Sequence, residues 1–74
     1  MVVKEKLGLA IKEYRQAAHK TQIQTAKEAG ISRSHLASIE TGSYIPSIKT
    51  LLKLAKVLNI DLKILNNFVD YTDN

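Results

Sequence analysis

The sequence predicts an all-α fold, one compact domain of five short helices with no stretch that reads as a strand. Three observations carry this. Apolar residues recur at three- and four-residue steps in successive short windows and do not alternate. The windows are punctuated by Gly30, Gly42, Pro46 and Asn59, with Thr21, Ser32, Ser47 and Asp61 standing where helix caps belong. The chain has 74 residues and no cysteine, which allows a single modest core built from helix packing, without disulfide staples or thiolate-bound metal.

The first helix is expected over Lys4 to Ala18, where Leu7, Ile11, Tyr14 and Ala18 share one face. Thr21 caps a second helix from Gln22 to Ala29, and Ala26 within it is small enough to let another helix cross close by. Gly30 follows where a helix must stop on a left-handed residue, a conformation glycine adopts without steric cost. Ile31 turns inward, Ser32 stands at a cap position, and a third helix runs from Ser32 or Arg33 to Glu40 with Leu36 and Ile39 on one face. Thr41-Gly42 closes it. Ser43 to Pro46 is a loop, because Pro46 disfavours helix at Ile45. Ser47 caps a fourth helix ending at Leu58, with Ile48, Leu51, Leu52, Ala55 and Leu58 on its inner stripe. After a break at Asn59-Ile60, Asp61 caps a fifth helix from Leu62 to about Phe68. The polar tail from Asp70 to Asn74 is expected to fray. No repeat, linker or low-complexity segment intervenes, so residues 1–74 read as one domain with its core over about 4–69.

The second and third helices, joined by a tight turn, carry the functional expectation. The outer face of the third reads Arg33, Ser34, Ala37, Ser38: small, polar or cationic, with no large apolar side chain. A helix with such a face can enter the DNA major groove and present donors to base edges. Arg33 alone on that face can bond both acceptors of a guanine. Ser34 and Ser38 are short and specify weakly alone; Ala37 either keeps the face small or touches a thymine methyl. Gln22, at a helix start with free amides, suits phosphate. His35 flanks this helix, where its protonated form can meet phosphate. The net charge of +4 is uneven: seven Lys/Arg against three Asp/Glu up to Leu36, and four against four beyond. A basic half beside a polar helix face fits a polyanion.

Other chemistry is weakly represented. His19 and His35 are the only histidines, with neither cysteine nor a carboxylate at ligand spacing, so no metal or other cofactor is expected. No Ser–His–Asp order, Gly-rich phosphate loop or carboxylate pair stands out, which argues against an enzyme. No apolar run is long enough to span a bilayer, and Met1-Val2-Val3-Lys4 lacks the apolar core of a signal peptide. The expected location is cytoplasmic.

From about Leu7 to Phe68 the chain resembles the lambda-type repressor and Cro helix-turn-helix family. The resemblance rests on LGLAIKEYRQ, TQIQTAKEAGISRSHLASIETG and IPSIKTLLKLAKVLNIDLKIL, in that order and at matching distances. It implies that the helix from Gln22 lies across the phosphate backbone and that the helix from Ser32 is the recognition helix. Arg33, Ser34 and Ser38 take base-contacting positions; Gln22, Ser32 and the Thr41, Ser43, Tyr44 loop take phosphate-contacting ones. The resemblance also pairs Arg15 with Glu40 in a partly buried salt bridge that sets the angle of the recognition helix. Family members regulate transcription as symmetric dimers. Stand-alone domains of this length serve as phage repressors, as controllers of restriction-modification systems, or as antitoxins that repress their own operon. Departures are Lys20, Thr25 and Ala29 where larger apolar residues are usual, and Ile23 where a polar one is common. The apolar side of the second helix therefore reads as thin and shifted toward Ile23, which implies a marginally stable monomer or an Ile23 exposed to a partner.

The expected function is a sequence-specific double-stranded DNA-binding transcriptional regulator, a repressor acting as a homodimer on a near-palindromic operator. The alternative is an antitoxin-type interaction module that covers a toxin partner. Leu62, Leu65, Phe68 and Val69 supply more apolar surface than one short terminal helix needs, and so form the expected dimer interface.

Overall fold

The computed structural model describes residues 3–43, 45–61 and 63, over which four helices and no strand form. The sequence predicts five. The fifth, Leu62 to Phe68, lies outside the described residues except for Lys63, whose amide donates to Asp61 Oδ1 at 2.9 Å.

Helix α1 (Val3–Ala17) buries Leu7 and Ile11 and packs Tyr14 at the edge of the core. Ala18, expected on that face, is exposed beyond the helix end, where the chain turns through a left-handed His19 (φ 58°). Helix α2 (Gln22–Ala29) starts in a reciprocal cap: Thr21 Oγ1 accepts from the Gln24 amide at 3.0 Å, and Gln24 Oε1 accepts from the Thr21 amide at 3.2 Å. It ends on Gly30 at φ 70°, and the Ile31 amide returns to the Ala26 carbonyl at 2.9 Å. Helix α3 (Arg33–Glu40) is capped by Ser32, whose Oγ accepts from the His35 amide at 3.0 Å. Helix α4 (Ile48–Leu58) is capped in the same way by Ser47 and closes on a left-handed Asn59.

Helix α3 packs on α1 and α2, while α4 packs on α2 and more lightly on α1. The core is made by Leu7 and Ile11, Ala26 and Ala29, Leu36 and Ile39, Leu51, Leu54, Ala55, Leu58 and Ile60. Two expected apolar faces are corrected. On α4 the inward stripe is Leu51, Leu54, Ala55 and Leu58; Ile48 is 71% and Leu52 47% exposed. The spacing 51, 54, 55, 58 keeps one face of a 3.6-residue helix, whereas Leu52 falls about 100° round from Leu51 and Ile48 lies in the first turn, past the core. On α2 the buried residues are Thr25, Ala26 and Ala29, and Ile23 is 65% exposed. The apolar side has not moved round to Ile23. Small side chains at 25, 26 and 29 instead let α2 sit close against its neighbours. Thr25 Oγ1 is fully buried there and has no hydrogen-bond partner among the described residues.

Gly8 permits a close crossing of α1 and the end of α3. A Cβ on it would overlap the Ile39 carbonyl oxygen and stand 2.9 Å from that of Glu40. Gly42, at φ 77°, meets α1 in the same way, with Glu5 Cα 2.7 Å from where its Cβ would lie. These two glycines set the C-terminal end of α3 directly on the first turns of α1.

Candidate nucleic-acid interface

Helix α3 is amphipathic in a restricted sense. Leu36 and Ile39 are wholly buried and fix its roll about its own axis. That roll turns Arg33 and Ser34 fully outward and leaves Ala37 and Ser38 half-exposed beside them. The result is a protruding surface with a cation at the amino end and short side chains along its length. His35 is also half-exposed, on the flank of the helix.

The C-terminal end of α3 is held by a polar cluster. Arg15, buried on α1, donates from Nε to Glu40 Oε2 at 2.6 Å and from Nη2 to Glu40 Oε1 at 3.1 Å. Its Nη1 donates to the Lys20 carbonyl at 2.8 Å. Gln22 Nε2, at the start of α2, donates to Glu40 Oε1 at 3.0 Å. One carboxylate thus accepts from α1 and from α2, and one guanidinium ties α3 to the α1–α2 turn. The two-pronged geometry fixes direction as well as distance. The arrangement is a clamp that sets the angle between α3 and the two helices beneath it.

Among the expected phosphate-contacting residues, Gln22 has its side-chain nitrogen committed to Glu40, and of the first-turn amides of α2 that of Gln24 is taken by Thr21 Oγ1. Ser32 Oγ is engaged as a cap. The loop after α3 folds back on it: the Gly42 amide donates to the Ile39 carbonyl at 3.0 Å, the Ser43 amide to the Ser38 carbonyl at 3.0 Å, and Thr41 Oγ1 to that same carbonyl at 3.1 Å. Thr41 and Ser43 share a hydroxyl–hydroxyl bond at 2.9 Å, so the two stand side by side at the end of the exposed face. Tyr44 lies outside the described residues, as do Leu62, Leu65, Phe68 and Val69. The sequence reading missed Gly8 and the Gln22–Glu40 bond. The first carries a visible sign, a glycine inside a helical pattern, which marks close backbone approach; the second joins residues far apart in sequence and carries none.

No group of three or more His, Cys, Asp or Glu side chains suited to a metal occurs among the described residues, and no helix among them is long and apolar enough to cross a membrane.

Two short helices crossing about a left-handed glycine, the second presenting a polar face, define a helix-turn-helix unit. The chain belongs to the helix-turn-helix family of lambda-repressor and Cro type, whose sequence profile matches residues 11–65. It is 46% identical over 61 residues to the ImmF control region 10 kDa protein of Bacillus phage phi105, a match spanning 82% of this chain and 68% of that protein. It is 43% identical over 56 residues to the immunity repressor protein of the same phage, covering 76% of this chain and 39% of the repressor. The transcriptional repressor RstR of cryptic phage CTXphi from Vibrio cholerae is 37% identical over 62 residues, covering 84% of this chain and 52% of RstR. The chain therefore spans about two fifths to two thirds of the length of these relatives.

Proposed function

We propose that this protein is a sequence-specific double-stranded DNA-binding transcriptional regulator, a repressor that reads a near-palindromic operator as a homodimer. The observation that carries the reading is the outward face of α3, cationic at Arg33 and small and polar at Ser34 and Ser38, on a helix whose angle is clamped through Glu40. Two relatives of this family are named as phage repressors, which supports the sign of the regulation.

In this reading α3 lies in the major groove. Arg33 donates two hydrogen bonds to a guanine edge, Ser34 and Ser38 adjust the fit beside it, and Ala37 keeps the helix close to the groove floor. The first turn of α2, Ser32, His35 and the Thr41–Ser43 hydroxyls meet phosphates on the two flanks and fix register without reading sequence. Gln22 acts chiefly as a positioning residue through Glu40. A two-fold dimer formed through Leu62, Leu65, Phe68 and Val69 sets two recognition helices about 34 Å apart, one turn of DNA.

The test is binding to fragments of the genome that encodes the chain, measured at several salt concentrations. A selected site with inverted half-repeats is expected, with log affinity falling against log salt by about 0.9 per phosphate neutralised. Binding with no sequence selection at any salt would remove the regulator reading. Sedimentation at micromolar concentration, with and without operator, tests the dimer; a monomer in both would remove it.

A further inference from the structure

We infer that the cleft between α2 and α4 is a docking site for an acidic peptide segment of a protein partner, one that carries an apolar side chain between its carboxylates. The cleft has a volume of about 650 Å³ and is walled by Lys20, Lys27, Lys53 and Lys56. Its floor is Ala29, Gly30 and Val57. Glu28 is the single carboxylate in its lining and is already taken, paired with Lys20 Nζ at 2.6 Å. The same Nζ reaches the Val57 carbonyl at 3.3 Å, so Lys20 bridges the two walls. Lys27, Lys53 and Lys56 form no ion pair among the described residues.

Helix dipoles account for part of this charge only. Lys27 and Lys56 stand in the last turns of α2 and α4, where cations are favoured. Lys53 stands in neither last turn, yet its ammonium leans across to the α2 terminus, 4.0 Å from where a Cβ on Gly30 would lie. Three lysines with no carboxylate partner line one concavity and make its potential positive, which favours an anionic ligand.

Two features favour an acidic peptide over nucleic acid. The cleft lies where α4 packs on α2, whereas α3 packs on α1 and α2, so it does not share the recognition face. Its floor is apolar and its rim cationic. A phosphate gains from the rim alone, while a carboxylate-flanked aliphatic side chain gains from both, with lysine stems covering its sides. The described lining also holds no aromatic ring on which a base could stack.

The probe is a fluorescein-labelled heptapeptide with two leucines set among five glutamates, compared with one in which both leucines are serine. Binding is read by anisotropy on the full chain, and DNA binding is measured on the same preparations. Lys27→Glu/Lys53→Glu is expected to weaken the leucine peptide at least tenfold and to lower DNA affinity by no more than the α1 charge control described next. Lys6→Glu/Lys12→Glu, an equal charge change on α1, is expected to leave peptide binding within about twofold. Lys27→Gln/Lys53→Gln, which introduces no new repulsion, is expected to give an intermediate loss and guards against a misfolded variant. The serine peptide is expected to bind several-fold more weakly than the leucine peptide. Equal losses in the α1 and cleft variants, or equal binding of the two peptides, would overturn the proposal. So would a fall in DNA affinity matching the peptide loss, which would make the cleft a phosphate contact. The proposal does not depend on the DNA-binding reading: failure of sequence-selective binding with intact peptide binding would remove only the DNA-binding reading.

Discussion

Gly8→Ala sets two physical effects against each other, and the structure decides the sign. Glycine inside a helix costs roughly 0.8–1.0 kcal/mol relative to alanine, so propensity alone makes the substitution stabilising by that amount. Gly8, however, is buried five residues into α1, facing the carbonyls of Ile39 and Glu40. The new methyl would overlap the first and stand 2.9 Å from the second, against an ordinary contact of about 3.5 Å or more. Neither obstacle is a flexible side chain. The two helices must separate, and overpacking of this kind costs about 1–3 kcal/mol, with main-chain atoms on both sides placing it toward the upper end. The net expectation is destabilisation by roughly 1–2 kcal/mol, a fall in melting temperature of about 4–8 °C per kcal/mol for a domain this size. Ala10→Gly, on a half-exposed position of the same helix, isolates the propensity term and should cost about 1 kcal/mol. Thermal unfolding followed by circular dichroism measures both. A higher melting temperature for Gly8→Ala would refute the close crossing of α1 and α3. The same displacement moves Glu40 relative to Arg15, so DNA affinity should fall even at temperatures where the variant is fully folded.

Three further outcomes follow from individual contacts. Thr25→Val replaces a fully buried hydroxyl that has no partner among the described residues with a methyl of similar shape and should stabilise the fold by about 1–2 kcal/mol; chemical denaturation checks it, and a loss of stability would mean the hydroxyl has a partner. Glu40→Gln leaves the buried Arg15 guanidinium without its counter-charge and should cost about 3–5 kcal/mol, whereas Arg15→Met/Glu40→Leu should recover much of that stability without recovering DNA affinity. Arg33→Ala should relax base preference at one position per half-site by about 1–3 kcal/mol with no change in melting temperature; an unchanged preference matrix in a selection experiment would remove Arg33 from base readout.

Local chemistry made most of this fold legible. Thr21, Ser32 and Ser47 start helices where their hydroxyls can accept a first-turn amide, and Gly30 ends one where only a left-handed residue fits. Such signals act within four residues and survive reading in one dimension. Faces proved harder. Ile48 and Leu52 are as apolar as Leu54, and only the packing of α4 on α2 decides which of them turns inward. Thr25 and Ala29 read as a thin apolar face, since small side chains carry little burial signal in a sequence. In the fold they are buried because they are small, and the space a larger side chain would fill is occupied by the close approach of neighbouring helices.

The same division separates what was legible at the candidate interface from what was not. The small polar composition of Arg33, Ser34, Ala37 and Ser38 is a local property and could be read directly. The angle at which that face is held is a property of contacts between distant residues: Arg15 with Glu40, Gln22 with Glu40, and Gly8 against the end of α3. Gln22 illustrates the consequence. Its place at a helix start suits a phosphate ligand, and in the fold its side-chain nitrogen also donates to the carboxylate that holds Arg15. A single acceptor therefore couples the start of α2 to the end of α3. A substitution at Gln22 should accordingly act on both stability and affinity, whereas one at Arg33, which is exposed and forms no ion pair among the described residues, should act on affinity alone. That contrast tests the proposal that Gln22 positions α3 while Arg33 reads the DNA.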